Sequence, residues 1–151
     1  KLWPAQPVWI GTSNLNYTIA SASLFLSNRL LSGVGGFDPA LGAGARFGSA
    51  EEVDLIYRSL SLGFRGLYSP DLVIGHPKIE LSGDASLTRA YKYALGQGYF
   101  CRKHSIPVAR LIYYVFRAAA ASLAMAAIFD FHRSRYYKNI ARGRWEGFFR
   151  A

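Results

Sequence analysis

One cysteine, Cys101, stands among 151 residues. A lone thiol excludes an internal disulfide and any metal centre built from cysteine pairs, and it is compatible with a reducing compartment. Acidic side chains are also scarce, nine Asp and Glu against eighteen Lys and Arg, for a net charge of +9. No internal repeat and no low-complexity tract occurs, so solenoid and disordered classes do not apply. No secretory pattern opens the chain. It begins at Lys1 rather than Met, and an upstream segment is expected. The uncharged apolar run Ala118–Phe129 has twelve residues, short of the ~20 that a spanning helix needs.

What is present is a length that suits one domain with a real core. The hydrophobic fraction is 51% and the mean hydropathy +0.09, high for a soluble domain and low for a polytopic membrane protein. Aromatic side chains are abundant, with 10 Tyr and 10 Phe. The positive charge is unevenly spread. Residues 1–100 hold eight Lys/Arg and seven Asp/Glu, a net of +1, whereas residues 101–151 hold ten and two, a net of +8. A basic third beside a near-neutral body points to an anionic partner: a membrane leaflet, a nucleic acid or an anionic lipid-linked substrate. The plain alternative is a solvated helical face.

Periodicity divides the chain further. Residues 1–12 read as an extended start with a short strand at "PVWIG". Residues 21–33 read as a helix that Gly33, Gly35 and Gly36 end, and 37–48 as a glycine-rich loop with Pro39. Over 50–62, Val53, Ile56, Tyr57 and Leu60 fall at i, i+3, i+4 and i+7, the stripe of an amphipathic helix stopped by Gly63. "FRGLY" and "DLVIGH" read as two short strands about Ser69-Pro70. A helix over 86–103 steps through Leu87, Tyr91, Leu95 and Tyr99. After Pro107 an apolar helix runs from Val108 to Phe129, interrupted by Arg110 and Arg117, and suits a buried hairpin or a helix lying in a membrane interface. From His132 a last helix mixes Arg133, Arg135, Lys138, Arg142 and Arg144 with Tyr136, Tyr137, Ile140, Trp145 and Phe148. This basic, aromatic-rich pattern suits a headgroup boundary or packing on a neighbouring helix.

The acidic stretch "SAEEVDLIYR" carries two readings. Structurally, Ser49 and Glu52 form an S-x-x-E capping box, Glu51 and Glu52 sit where the helix dipole favours negative charge, and Asp54 with Arg58 is an i, i+4 pair. Chemically, carboxylates at a helix start beside a glycine loop can face a cleft. Inverting sugar transfer needs one carboxylate to take the acceptor's hydroxyl proton, and cations to offset a departing diphosphate.

The wider stretch "GGFDPALGAGARFGSAEEVDLIYRSLSLGFRGLYSPDLVIGHP" resembles the C-terminal half of the catalytic domain of family 2 glycosyltransferases, of the GT-A fold. That family shows G-G-F-D-x-x-L-G, then G-E-D-x-D-L-x-x-R, then G-x-x-x-x-Y-x-P-x-x-x-V-x-H. The counterparts here are Gly35-Gly36-Phe37-Asp38, then Glu51-Glu52-Val53-Asp54-Leu55 with Arg58, then Gly63, Tyr68, Pro70 and His76. The matching core runs from about Gly11 to Pro77, and "RAYKYALGQGYFCRKH" and "ARGRWEGFF" look like tails of the same family.

The resemblance implies an α/β fold: a partial GT-A-like half over residues 1–78 and a basic amphipathic helical tail over 79–151. It implies that Glu52, beside Glu51, is the general base, with Asp54 as a third acidic site residue. Asn14, Gly36, Asp38, Arg58 and His76 would serve substrate binding. Departures are plain: Glu52 stands where the family has Asp, the connection from Asn14 to Gly35 is long and reaches no arginine before Arg29, and no D-x-D occurs. A divalent metal, Mg or Mn, is therefore expected to have its ligands mostly outside this chain, as is the part that holds the nucleotide-sugar donor. The expected acceptor is a lipid-linked or envelope glycan. The expected location is the cytoplasmic face of a membrane, peripherally, through the basic C-terminal helices. The alternative is a non-catalytic membrane-surface scaffold. A nucleic-acid module ranks last, since the arginines follow no known binding motif.

Overall fold

The computed structural model describes residues 3–75 and 83–150. The expected α/β half is not what forms. Among the described residues the chain makes six α-helices, one 3-10 turn and a single antiparallel strand pair. That pair, β1 (Val8–Trp9) and β2 (Leu67–Tyr68), matches Val8 with Tyr68 and Trp9 with Leu67. Strands of a parallel α/β sheet are covered on both faces. Here Leu72 and Val73, in the expected second strand, are 63% and 84% exposed and belong to no strand. The hydroxyl of Ser69 instead accepts from the Asp71 N–H, closing a turn that leads the segment away from the ladder. His76 lies outside the described residues.

The chain divides into two compact units, Lys1–Asp38 with Glu51–Lys78, and Pro39–Ala50 with Ile79–Ala151. The glycine-rich loop groups with the C-terminal helices. Phe47 stacks on Tyr99 at 4.1 Å between ring centres. The Ser49 hydroxyl donates to the Tyr93 carbonyl, and the Arg46 guanidinium donates to the Arg150 carbonyl.

In the first unit a short helix, α1 (Leu15–Thr18), precedes a 3-10 turn at Ser21–Ser23 and then α2 (Asn28–Val34). One helix over 21–33 was expected. Leu24 and Leu26 instead point inward while Phe25 between them is 71% exposed, the alternation of an extended segment. Helix restarts only where the Ser27 hydroxyl accepts from the Leu30 N–H. Gly35, in the left-handed region at φ 77°, closes α2 by donating to the Leu31 carbonyl. Helix α3 (Glu51–Ser61) forms where expected, and Val53, Ile56, Tyr57 and Leu60 pack with Leu15, Ile19, Ile10, Leu24 and Leu26. Its amphipathic stripe is satisfied by large apolar partners.

The second unit is built from α4 (Gly83–Lys103), α5 (Val108–Ala127) and α6 (Phe131–Phe149). Helices α4 and α6 run parallel: Asn139 donates to the Leu87 carbonyl, Tyr91 meets Glu146, and Gln97 meets Arg144. Helices α5 and α6 form an antiparallel hairpin, with Ser122 bonded to Ser134 and Arg144 to the Tyr114 carbonyl. Its turn is capped by Asp130, whose carboxylate accepts from the Arg133 N–H.

The expected stripe of α4, Leu87 to Tyr99, is half-buried, with Leu95 and Tyr99 packed on the Phe47 cluster, and the fully buried positions are others. Ala90, Ala94, Gly96, Gly98 and Cys101 are buried. A Cβ on Gly98 would strike the Arg144 carbonyl, one on Gly143 the Tyr91 carbonyl, and one on Gly147 the Leu95 carbonyl. The two backbones approach so closely that only small residues fit between them, the packing of small-x-x-x-small helix pairs. At the α4–α5 end, Cys101, Leu111 and Phe148 form a small apolar cluster. Burial holds the Cys101 thiol above its usual pKa.

Candidate functional site

The acidic stretch lands at the first turn of α3. Ala50, in the left-handed region at φ 73°, stands immediately before Glu51. Glu51, Glu52 and Asp54 are then the acids of the first turn, where unpaired backbone N–H groups favour negative charge. Glu51 and Glu52 are half-buried, whereas Asp54 is fully buried.

Arg58 organises the neighbourhood. Its Nε donates to the Asp54 carboxylate at 2.8 Å, and its two terminal nitrogens donate to the carbonyls of Val34 and Gly36, each at 2.7 Å. The planar guanidinium suits this task, since it presents several donors in a fixed fork. Asp54 supplies the compensating charge that makes burying the cation feasible. The sequence showed the i, i+4 pair but not the two carbonyls, which lie more than twenty positions upstream. Arg58 thereby fastens the Gly35-Gly36-Phe37-Asp38 turn to α3. Gly36 is itself at φ 76°, a conformation costly for other residues, so its carbonyl is aimed by its own backbone.

Glu51, Asp54 and Arg58 follow one another at i, i+3 and i+7 and share one face of α3, the face bound to the Gly35–Asp38 turn. Glu52 lies about 100° further round. Asp54 is held by Arg58 and shielded from water. Asp38, half-buried, follows the tethered carbonyl of Gly36 by two residues.

Asn14 has structural work at both ends of its amide. Its Oδ1 accepts from the Gly11 N–H at 2.9 Å, and its Nδ2 donates to the Trp9 carbonyl at 3.0 Å. It thus closes the turn from β1 into α1. The candidates therefore divide: Gly36, Asp38, Glu51, Asp54 and Arg58 belong to one tethered arrangement, while Asn14 serves a different turn. Among the described residues no group of three His, Cys, Asp and Glu could hold a metal ion.

Two depressions among the described residues are not lined by Glu51, Glu52, Asp38 or Asn14. One, of about 410 Å³, lies in the first unit among Ser27, Arg29, Phe64 and Arg65. The other, of about 440 Å³, lies between α4 and α6 and is bordered by Arg89, Tyr93, Gln97, Tyr136 and Arg144. Arg144, whose guanidinium donates to Gln97 and the Tyr114 carbonyl, has its pKa lowered by burial. Beside it Glu146 accepts from the Tyr91 hydroxyl at 2.7 Å, from Arg142 at 2.6 Å and from Arg150 at 2.9 Å. The Tyr91 hydrogen bond and Arg142 hold the Glu146 carboxyl below its usual pKa. Sequence reading passed over this hub, although Arg142 and Arg150 stand four residues either side of Glu146.

Comparison with protein-family models, with curated proteins and with solved structures gave no match.

Proposed function

We propose that this chain is the acceptor-binding, base-bearing part of an inverting glycosyltransferase acting on a membrane-associated or envelope glycan. In that reaction the acceptor hydroxyl gives its proton to a carboxylate, and its oxygen attacks the anomeric carbon. The bond from that carbon to the nucleoside diphosphate breaks. Glu52 is the base, with Glu51 as the neighbouring acid; Asp54 and Arg58 act as positioning residues and Asp38 lines the acceptor side. The donor nucleotide sugar and the ligands of any divalent metal are held outside this chain, and the whole works peripherally at the cytoplasmic face of a membrane. The observation that carries this reading is the Arg58 fork, which ties the Gly35–Asp38 turn to the helix bearing Glu51 and Glu52. Two separate stretches of the family resemblance become one rigid arrangement through it.

The test is sugar transfer by the full native polypeptide, with Glu52→Gln and Glu51→Gln compared at equal expression. Loss of the general base lowers kcat by about 10²–10⁴-fold, and that loss is expected for Glu52→Gln. Near-native rates in both variants would end the proposal.

A second reading, a non-catalytic membrane-surface scaffold, draws on the exposed apolar side chains of α5 beside the basic charge of residues 101–151. Transfer-inactive full-length protein that still sediments with membranes would favour it.

A further inference from the structure

Helix α5 is laid out against the usual rule. Only Leu111 and Ala118 are buried in it. The face turned away from α6 carries Ile112, Tyr113, Phe116 and Leu123, each between 53% and 72% exposed. With Ala109, Ala120 and Ala127 these residues follow at helical spacing, a continuous apolar stripe about 27 Å long. Ile128, Phe129 and Phe131, all exposed, extend it round the turn into α6. Soluble monomers rarely leave so long a contiguous apolar surface open.

We infer that the outer face of α5 lies in the acyl–headgroup boundary of an anionic lipid leaflet, with the helix parallel to the membrane plane. Three observations select lipid as the occupant. The first is charge: residues 101–151 carry a net +8, complementary to acidic headgroups. The second is its distribution. Arg110 and Arg117 fall together at one edge of the stripe, where a guanidinium reaches headgroups while its helix face enters the apolar layer. On the outward side of α6, Arg135, Lys138 and Arg142 recur at helical spacing between Phe131 and Trp145. The third is the hairpin itself. Helix α5 is by length and composition able to cross a membrane. It is, however, bonded along its length to α6, which carries Arg133, Arg135, Lys138, Arg142 and Arg144. That helix cannot follow into the hydrocarbon core, so α5 enters by one face only. Lipid binding through α5 rests on the membrane side of the function proposed above and not on sugar transfer, so an inactive enzyme would leave it standing.

The experiment uses the whole chain with vesicles of phosphatidylcholine alone or mixed with phosphatidylglycerol. Wild type is expected to co-sediment with the anionic vesicles and to stay bound at about 0.5 M salt, where the Debye length is only a few ångströms. The triple variant Ile112→Ser, Phe116→Ser, Leu123→Ser is expected to lose affinity by at least about a hundredfold while remaining helical by circular dichroism. Should that variant misfold, single nitroxide labels on Ile112→Cys, Phe116→Cys and Leu123→Cys serve instead, Cys101 being buried. All three labels are expected at one shallow depth on vesicles. Three outcomes would overturn the assignment: binding that salt strips and the triple variant leaves unchanged, labels whose depth climbs through the midplane, or a stable dimer that shields the labels and ignores vesicles.

Discussion

The principal helices of the two units solve burial in opposite ways. In the first, the helix with the clearest sequence stripe, α3, sinks Leu55 and Ile56 and packs against Leu15 and Ile19. Phe25 and Val73, among its exposed apolar side chains, lie in connecting segments. In the second, the buried places of α4 and α6 go to Ala90, Ala94, Gly98, Gly143 and Gly147, while Ile112, Phe116, Leu123 and Trp145 stand outside. Helix α3 hides its large groups against large partners; α4 and α6 bring backbones together and leave many large groups of their unit outside. The difference teaches that apolar content alone does not tell which face of a helix is its interior. The size of the residues along each face does.

Substitution should break this contrast most sharply at Gly147. A leucine there meets the Leu95 carbonyl with no flexible atom to move aside. Gly147→Leu is expected to abolish the cooperative melting of α4–α6, while hydrogen exchange in α3 stays at its native rate. Next comes Arg58→Ala, which leaves the fully buried Asp54 carboxylate without its cation. The expected loss is about 3 kcal/mol, the low end for a buried pair because the guanidinium keeps some contact with water. It is read from the shift in urea midpoint. Arg58→Lys should restore part of that stability, since one ammonium cannot span all three acceptors.

Acid should separate the units more gently. The Glu146 carboxyl titrates below its ordinary value of 4.5 in the folded protein. Its stabilisation is therefore fully present above 4.5 and is lost as pH falls through the lowered folded value. Acid titration followed by circular dichroism should show α4–α6 weakening there, and Glu146→Gln should flatten that part of the curve. The smallest effect is expected at Phe116→Ser, within about 0.5 kcal/mol of wild-type stability in vesicle-free buffer. A larger loss would mean that the outer face of α5 is interior after all.

Legibility in the sequence followed the same division. Local signals were readable: the stripe of α3, its stop at Gly63, the Asp54–Arg58 spacing and the three C-terminal helices. Long-range ones were not. Nothing near Arg58 announces that it will take the carbonyls of Val34 and Gly36. Nothing in "DLVIG" shows that no neighbouring strand will receive it. The resemblance to a GT-A half supplied an α/β expectation that the strand pair of Val8–Trp9 and Leu67–Tyr68 does not meet. The stripe of α4 is half-buried, and it left out the small residues that mark the close contact, Gly98 and, on α6, Gly147. Spacing of small residues was on the page throughout and is the signal that would have found it.

The lone cysteine gives the helical unit a built-in clock. Cys101 sits in the cluster where α4, α5 and α6 meet, 8% exposed and with burial suppressing its thiolate. A thiol reagent can modify it only in molecules whose junction has opened. With reagent dilute and reclosure fast, the rate of colour development counts how often that end of the bundle comes apart. The chain therefore reports its own local opening with no residue changed, with or without lipid present.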